Sequence, residues 1–253
     1  MTGVRCPSGS ALGKARSFRT RSLRFVLIVL FAAAQASCWE GVTREVAATV
    51  LSVDGAATVG VTGGSEFLPL MPGAHPGKGA IIETAASSRA VIALLPNVLI
   101  QLDPGTRIEI IRLAIAKNGN ETGSAMRGRY AEVKLLRGRV FVSHDWGEAI
   151  AQFTVSTPQG TLTTGSNALF CLHSDAERTR VTSVSGTVGF RPSADAAATA
   201  IPPGHLGEWS AAASTVVAAE TDARGQADLE RALKVEEKLR ALRARIRNIP
   251  LGR

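Results

Sequence analysis

Short runs of β-branched residues interrupted by glycine are the feature that most constrains this chain. Three such segments, VLSVDGAATVG, VKLLRGRVFV and VTSVSGTVGF, carry the dipeptides Asp54-Gly55, Arg137-Gly138 and Ser185-Gly186 at their centres. Glycine readily adopts the positive φ that tight turns require, and β-branched residues favour strands. The sequence therefore predicts that each segment is a β-hairpin.

The region around these segments follows the same pattern. Thr157-Pro158-Gln159-Gly160 has Pro and Gly where β-turns favour them, and Thr164-Gly165-Ser166 interrupts the next strand. Residues 107–112 alternate between polar and apolar, as in a half-exposed strand, whereas Ala90 to Leu95 is apolar throughout, as in a strand covered on both faces. Many short strands bounded by turn residues predict a sandwich or a barrel.

The order of these segments resembles that of FecR domains. The resemblance runs from Ala47 to Trp209, with Ser166 where the family usually has Thr and Pro96-Asn97 in place of its usual Asp-Gly turn. Pro and Asn also form turns, so the pattern of strands is preserved. The segments that carry the resemblance are Gly79–Thr84, Ser88–Leu94, Ile100–Leu102 with Thr106, Leu136–Val142, Phe153–Leu172, Val181–Phe190 and Ile201–Gly204.

The resemblance implies an all-β fold, an antiparallel β-sandwich of jelly-roll type, followed here by a C-terminal α-helix. We expect the FecR-like β domain to span residues 45–219 and the helix residues 224–249. The family resemblance further implies a non-catalytic envelope module. In its best understood members, this module is the periplasmic part of a sensor that relays occupancy of an outer-membrane siderophore receptor to a cytoplasmic sigma factor.

The C-terminal segment changes from a period of two to a helical period. Its apolar residues recur at steps of four and three, and Glu236 stands four residues before Arg240, which supports an exposed helix. We expect this stripe to pack on the β domain; docking to a partner, as in a coiled coil, and binding to a membrane surface are the alternatives. The stripe consists of Val235, Leu239, Leu242, Ile246 and Ile249.

The first 38 residues are typical of a secretory leader. Arginines precede the apolar run Phe25–Ala34, and Ala34-Gln35-Ala36 matches the small-residue site of signal peptidase, with cleavage after Ala36. The apolar run is about half of the roughly 20 residues that a membrane-spanning helix needs, so a retained anchor is the alternative. Cys38 is a candidate for lipidation, which gives three possible fates for this end. The predicted location is the periplasm or cell envelope of a bacterium.

The basic composition comes largely from this leader. The chain has 29 basic and 21 acidic residues, and six of the basic ones precede Cys38, so 23 remain against 21 acidic. The remaining chain has few aromatic residues, and we expect no basic stripe across its β region. Nucleic acid is therefore not an expected partner, and contact with a membrane is expected only through the leader or a lipid on Cys38.

Candidate catalytic and metal-binding groups are sparse. His144-Asp145 with Glu148, and His173 with Asp175, could each supply two metal ligands, but such sites need three or four convergent groups. Ser166 lacks the Gly-x-Ser-x-Gly context of a hydrolase nucleophile. We predict no enzyme activity, no catalytic residue, no metal and no cofactor.

Cysteine use adds little to this interpretation. Cys171 lies in the apolar run Ala168–Leu172 and is expected to be a small buried residue. A disulfide between Cys38 and Cys171 is the alternative in an oxidising compartment.

The sequence therefore favours a secreted or envelope-attached FecR-domain protein that binds or scaffolds an envelope protein or polymer through its β domain. The C-terminal helix is a possible second docking element. One alternative is a transmembrane sensor of FecR type that regulates a sigma factor in response to a siderophore receptor. A third is an envelope carbohydrate hydrolase.

Overall fold

The structure, a computed structural model, describes residues 42–117, 128–145, 150–165, 167–210 and 213–247. The predicted leader, Ala36, Cys38, Glu148, Ser166 and Ile249 lie outside these residues. The described elements are, in chain order, β1 (Val42–Glu45), β2 (Thr49–Asp54), β3 (Ala57–Val61), β4 (Phe67–Pro69), β5 (Ala80–Thr84), β6 (Arg89–Leu95), β7 (Val98–Leu102), β8 (Arg107–Lys117), β9 (Gly128–His144), β10 (Ile150–Thr157), β11 (Gly160–Thr164), β12 (Ala168–Ser174), β13 (Arg178–Ser185), β14 (Val188–Arg191), β15 (Thr199–Ile201), β16 (His205–Ser210), β17 (Ala213–Glu220) and α1 (Ala223–Arg247).

The strands form two layers that share the long strand β9. In sheet A the order is β4, β3, β5, β8, the first half of β9, β10, β11, β14 and β15. Strand β1 pairs with the second half of β8, on the same edge of β8 that pairs with β5 in its first half. In sheet B the order is β2, β6, β7, the second half of β9, β12, β13, β16 and β17. The described ladders are antiparallel except β9 with β10, which is parallel. The predicted all-β sandwich with a C-terminal helix is confirmed.

The three glycine dipeptides are not hairpin turns, and this prediction was wrong. Asp54-Gly55 connects β2 of sheet B to β3 of sheet A, and Ser185-Gly186 connects β13 of sheet B to β14 of sheet A. Arg137-Gly138 lies inside β9, where the strand leaves sheet A and enters sheet B. All three glycines have positive φ, so this conformation serves to turn the chain from one sheet into the other.

The hairpin predicted at Thr157–Gly160 is confirmed, because Thr157 pairs with Gly160 across Pro158-Gln159 in the β10–β11 ladder. Pro96-Asn97 forms a second hairpin turn, between Leu95 and Val98 of β6 and β7. The alternation of residues 107–112 is also observed, since Ile108 and Ile110 are buried while their neighbours are not. The sequence therefore predicts two-residue turns and alternating burial correctly where these features depend on residues close together in the chain.

The main hydrophobic core lies between the two sheets. It includes Ile82, Val133 and Phe153 from sheet A, which face Ile92 and Phe170 from sheet B. Close to the β14–β15 end of the sandwich, the rings of Phe190 and Trp209 stack with centroids 3.7 Å apart. Both rings are buried, and stacked aromatic pairs stabilise a core by about 1 kcal/mol beyond their buried area. The aromatic stack therefore contributes to holding β14 of one sheet against β16 of the other.

Helix α1 packs on the outer face of sheet B. Ala232, Val235 and Leu239 form a second buried cluster with sheet residues that include Phe141 and Cys171. The expected packing of the apolar stripe on the β domain is thus confirmed for Val235, Leu239 and the partly buried Leu242, and sheet B is covered on both faces. Within the described part of the chain, no helix has the length and apolar character to cross a membrane.

Candidate functional site

A charged groove opens where the first half of α1 crosses the outer face of sheet B. Its volume is about 370 Å³. We call it the arginine groove, because five of its lining residues are arginines. The lining consists of Arg139, His173, Asp175, Arg178, Arg180, Arg224, Ala227, Asp228 and Arg231.

The floor of the groove is a row of side chains that runs across four strands. In the sheet register, Arg139 of β9 lies opposite His173 of β12, His173 opposite Arg180 of β13, and Arg180 opposite Glu208 of β16. Adjacent strands lie about 4.8 Å apart, so Arg139 and Arg180 are about 10 Å apart at the backbone. Strand pairing therefore holds two cations at a fixed spacing, with His173 between them.

Arg180 is fixed in this row by a short ion pair. Its Nε and Nη2 both donate to Oε2 of Glu208, at 3.0 and 2.7 Å. Its side chain is only 14% exposed. Arg178, two residues earlier on the same face of β13, is held more loosely, because its nitrogens lie 3.7 Å from Glu208 and 3.9 Å from Asp175.

The turn between β12 and β13 sets the end of the groove. Oδ1 of Asp175 accepts hydrogen bonds from the backbone N–H groups of Arg178 and Glu177, each at 2.8 Å. These bonds, that of Arg178 first, lower the pKa of the Asp175 carboxyl, so the side chain stays ionised. The turn is a side-chain mimic of a β-turn, and it fixes the backbone from which Arg178 projects.

The opposite wall is the first two turns of α1. Oδ1 of Asp222 accepts a hydrogen bond of 2.7 Å from the backbone N–H of Gly225, which caps the helix and lowers the pKa of the Asp222 carboxyl. Arg224, Asp228 and Arg231 follow at helical spacing and face the groove. Asp228 lies deepest in this wall, with Oδ1 3.1 Å from Nη1 of Arg139.

A buried carboxylate lies beneath this wall. The Asp103 side chain is only 7% exposed, and nitrogens of Arg89, Arg139 and Arg231 lie 3.6, 3.8 and 3.9 Å from its oxygens. Nε2 of Gln101 also donates a hydrogen bond of 3.2 Å to it. Asp103 therefore orients arginines from β6, β9 and α1 around one point, and it helps to dock the helix.

His173 is half-buried in the floor, and its environment disfavours a positive charge. Burial lowers the pKa of the imidazole, and the neighbouring Arg139 guanidinium lowers it further, against an opposing effect of Asp175. The ring is therefore neutral at neutral pH. It adds a hydrogen-bonding group to the groove without adding charge.

The two groups of residues that were weighed as metal ligands fall in different surroundings. His173 and Asp175 both line the arginine groove, whereas His144 is buried in the core beside the rings of Phe153 and Phe170. Among the described residues, no group of three or more His, Cys, Asp or Glu side chains could hold a metal ion. Cys171 is a free, buried thiol, as expected, and burial raises its pKa well above the usual value.

Sequence reasoning missed the arginine groove. Arg139 and Arg180 lie 41 positions apart in the sequence and become neighbours of His173 only through strand register. Asp175 and Asp228 also line the groove, so it is mixed in charge and is not the basic stripe that would suit nucleic acid. The only signal was the RTRV segment, in which Arg178 and Arg180 alternate on one face of a strand. Without the pairing of β9, β12 and β13, this signal does not predict a site.

A second groove, of about 700 Å³, lies beside β3 and β4, at the edge of sheet A. Its lining is largely apolar, with Val61 64% and Leu68 57% exposed. Glu66, His75 and Lys78 are its charged or titratable members. It has far less charge and fewer directed donors than the arginine groove.

The described residues form a two-sheet β-sandwich with a docked helix and a charged groove beside that helix. The model of the FecR protein family matches residues 80–189, which run from β5 to β14. Residues 80–189 therefore match the FecR family, as the resemblance predicted. The match includes Arg139, His173, Asp175, Arg178 and Arg180 but ends before α1.

Solved structures give a weaker similarity. Two crystal structures of a "putative anti-sigma factor" from Parabacteroides distasonis ATCC 8503 share 17% and 16% sequence identity with this chain, each with a TM-score of 0.41. The aligned part covers 57% of this chain and 61% of each of those chains. No curated protein matches the chain.

Proposed function

We propose that this chain is a non-catalytic FecR-domain module of the bacterial cell envelope, which acts by binding a partner at the arginine groove. The observation that carries the proposal is the row of Arg139, His173 and Arg180 across three paired strands of the FecR domain. Strand pairing fixes the backbone of these residues, and ion pairs with Asp228 and Glu208 hold the side chains of Arg139 and Arg180, which lowers the entropy lost on binding. Their chemistry, charge and hydrogen-bond donors, suits recognition.

The location is part of the proposal and depends on the leader. Export with cleavage after Ala36 would release the β domain to the periplasm, and lipidation of Cys38 would keep it attached to a membrane. Either fate would place the arginine groove in the cell envelope, where the proposed partner would be. Mass spectrometry of the protein made in cells tests this part, because the mature mass shows whether residues 1–36 have been removed and whether Cys38 carries a lipid.

Site-specific photo-crosslinking in cells tests the use of the groove. A photoreactive amino acid replaces the exposed Ala227, which lines the groove, and a matched variant carries it at the exposed Lys134 on β9 in sheet A. We expect a discrete crosslinked species from position 227 and none from position 134. No adduct at position 227, or equal adducts at both positions, would contradict binding at the groove.

A regulator of a sigma factor is the second candidate, and the FecR match itself favours it, since the resemblance implies a role in signalling. This role requires the leader to remain as an anchor, so the mature chain would retain Phe25–Ala34. The same mass measurement separates the two candidates. A reporter driven by the cell's alternative sigma factors, compared with and without this chain, supplies the second readout.

A further inference from the structure

The arginines of the groove differ in how strongly they are already bound. Arg180 and Arg139 make direct ion pairs, at 2.7 Å to Glu208 and 3.1 Å to Asp228. Among the described residues, the carboxylates nearest to Arg178 and Arg231 lie 3.7 and 3.9 Å away, beyond direct hydrogen-bond distance. Their side chains are 46% and 50% exposed.

Arg224 completes this outer set. It is exposed on the first turn of α1, and within the described part of the chain it forms no ion pair. A guanidinium presents several N–H donors in a planar fork that matches a carboxylate, and it remains charged at all physiological pH values. Arg178, Arg224 and Arg231, which we call the rim arginines, therefore keep donors available for an anionic ligand.

We infer that the rim arginines bind carboxylates of an acidic segment of a partner protein. The inference rests on the proposed function, because it names the class of partner that the groove would take. Arg178 lies on the sheet side of the groove, and Arg224 and Arg231 lie two helical turns apart on the other side. An extended or helical segment with spaced Asp or Glu residues can place carboxylates on both sides.

The acidic residues of the lining argue against a uniform polyanion. Asp175 and Asp228 separate the cations, and repulsion from these fixed carboxylates penalises a polymer that carries an anion on every unit. Among the described lining residues there is also no Phe, Tyr or Trp, the rings on which sugars usually stack. A protein segment with widely spaced acidic side chains can place its carboxylates beside the arginines and keep them away from Asp175 and Asp228. It therefore fits the charge pattern of the groove better than an acidic glycan.

Fluorescence anisotropy with the purified chain tests the inference. The probe is a labelled peptide of alternating Glu and Ser, the matched control replaces every Glu by Gln, and polygalacturonate serves as an anionic glycan competitor. We expect the Glu peptide to bind at least tenfold more tightly than the Gln peptide. Arg178→Gln and Arg224→Gln should each weaken binding about fivefold, whereas Arg44→Gln, an exposed arginine on β1, should leave it unchanged.

Equal binding of the two peptides, or equal loss in Arg44→Gln, would overturn the inference. So would competition by polygalacturonate stronger than that by the unlabelled Glu peptide, which would assign the groove to a glycan. Arg224→Gln removes no ion pair in the described structure, so it keeps the test valid if Arg178→Gln fails to fold. If the peptide does not bind but crosslinking at position 227 persists, the acidic class is wrong and the proposed function stands.

Discussion

Nη1 of Arg139 and Oδ1 of Asp228 lie 3.1 Å apart, and this ion pair joins strand β9 to helix α1 across 89 residues of sequence. Asp228 is 13% exposed and Arg139 31%, so the pair is partly protected from solvent. It lies at the boundary between the apolar cluster under the helix and the arginine groove. The same contact therefore docks the helix and shapes the site.

A double-mutant cycle on this pair should show a measurable coupling. We expect Arg139→Gln and Asp228→Asn to couple by about 1 kcal/mol in the free energy of unfolding, since both groups are partly buried and hydrogen-bonded. Urea titration followed by circular dichroism measures it. The control is Glu236 with Arg240, an exposed pair of similar length at 3.0 Å, which should couple by only about 0.3 kcal/mol. Equal coupling in both pairs would contradict a docking role for Arg139 and Asp228.

Removal of the helix anchor should expose Cys171. Leu239 is fully buried in the cluster that covers this thiol, so Leu239→Ala should cost about 2–4 kcal/mol and favour undocking of α1. In the native chain, burial raises the pKa of Cys171 and slows its alkylation. We expect the variant to react with iodoacetamide at least tenfold faster at Cys171, as quantified by peptide mass spectrometry.

The matched control for this experiment is on the same helix. Leu233 is 55% exposed, so Leu233→Ala removes the same atoms without disturbing the cluster. Its rate of alkylation at Cys171 should equal that of the native chain. Fast alkylation in the native chain, or equal acceleration in both variants, would show that α1 does not protect the thiol.

The sandwich and the helix could be predicted because their signals are local. Alternation in residues 107–112 and the stripe of Val235 and Leu239 depend on neighbours a few positions apart, which the sequence displays directly. The glycine dipeptides were misread for the same reason. Positive φ at Gly55 or Gly186 shows that the chain turns, but it does not show whether the next strand pairs with the last one or joins another sheet.

The site could not be predicted because it depends on register. Arg139, His173 and Arg180 belong to three strands, and a shift of one residue in any of them would move its side chain to the opposite face of the sheet. Period-two patterns indicate which residues share a face of one strand. They do not indicate which rows of different strands align, and this alignment is what places the two arginines beside one histidine.

Gly138, where β9 leaves sheet A and enters sheet B, allows a test of how the chain passes between the two sheets. Gly138 has φ of 97°, and a Cβ at this position would lie 2.5 Å from Cα of Thr106, whose hydroxyl exchanges hydrogen bonds of 3.0 Å with the backbone of Arg139. Gly138→Ala should therefore combine the cost of positive φ with a backbone clash, for a loss of about 3 kcal/mol or more. Thermal unfolding followed by circular dichroism measures it.

Gly73→Ala is the control for backbone strain alone. Gly73 has φ of 85°, close to that of Gly138, but a Cβ there meets no atom within 4 Å. Its loss should be about 1 kcal/mol. Similar losses in the two variants would show that close packing against Thr106 adds nothing and would weaken the account of Gly138.

The imidazole of His173 should titrate below its usual pKa of about 6.5, because burial and the Arg139 guanidinium both oppose its protonation. The unfolded chain then takes up a proton at a higher pH than the folded chain. Stability is therefore lost as the pH falls through 6.5 towards the folded pKa, and it is fully present above 6.5. Titration by NMR of the ring protons measures the folded pKa directly, and urea midpoints at pH 7.5 and pH 5.5 measure the linked loss of stability.

Two variants serve as controls. Arg139→Gln should raise the pKa of His173, and His173→Gln should reduce the difference between the two urea midpoints. A folded pKa at or above 6.5, or the same pKa with and without Arg139, would contradict the placement of His173 beside this cation in the floor of the groove.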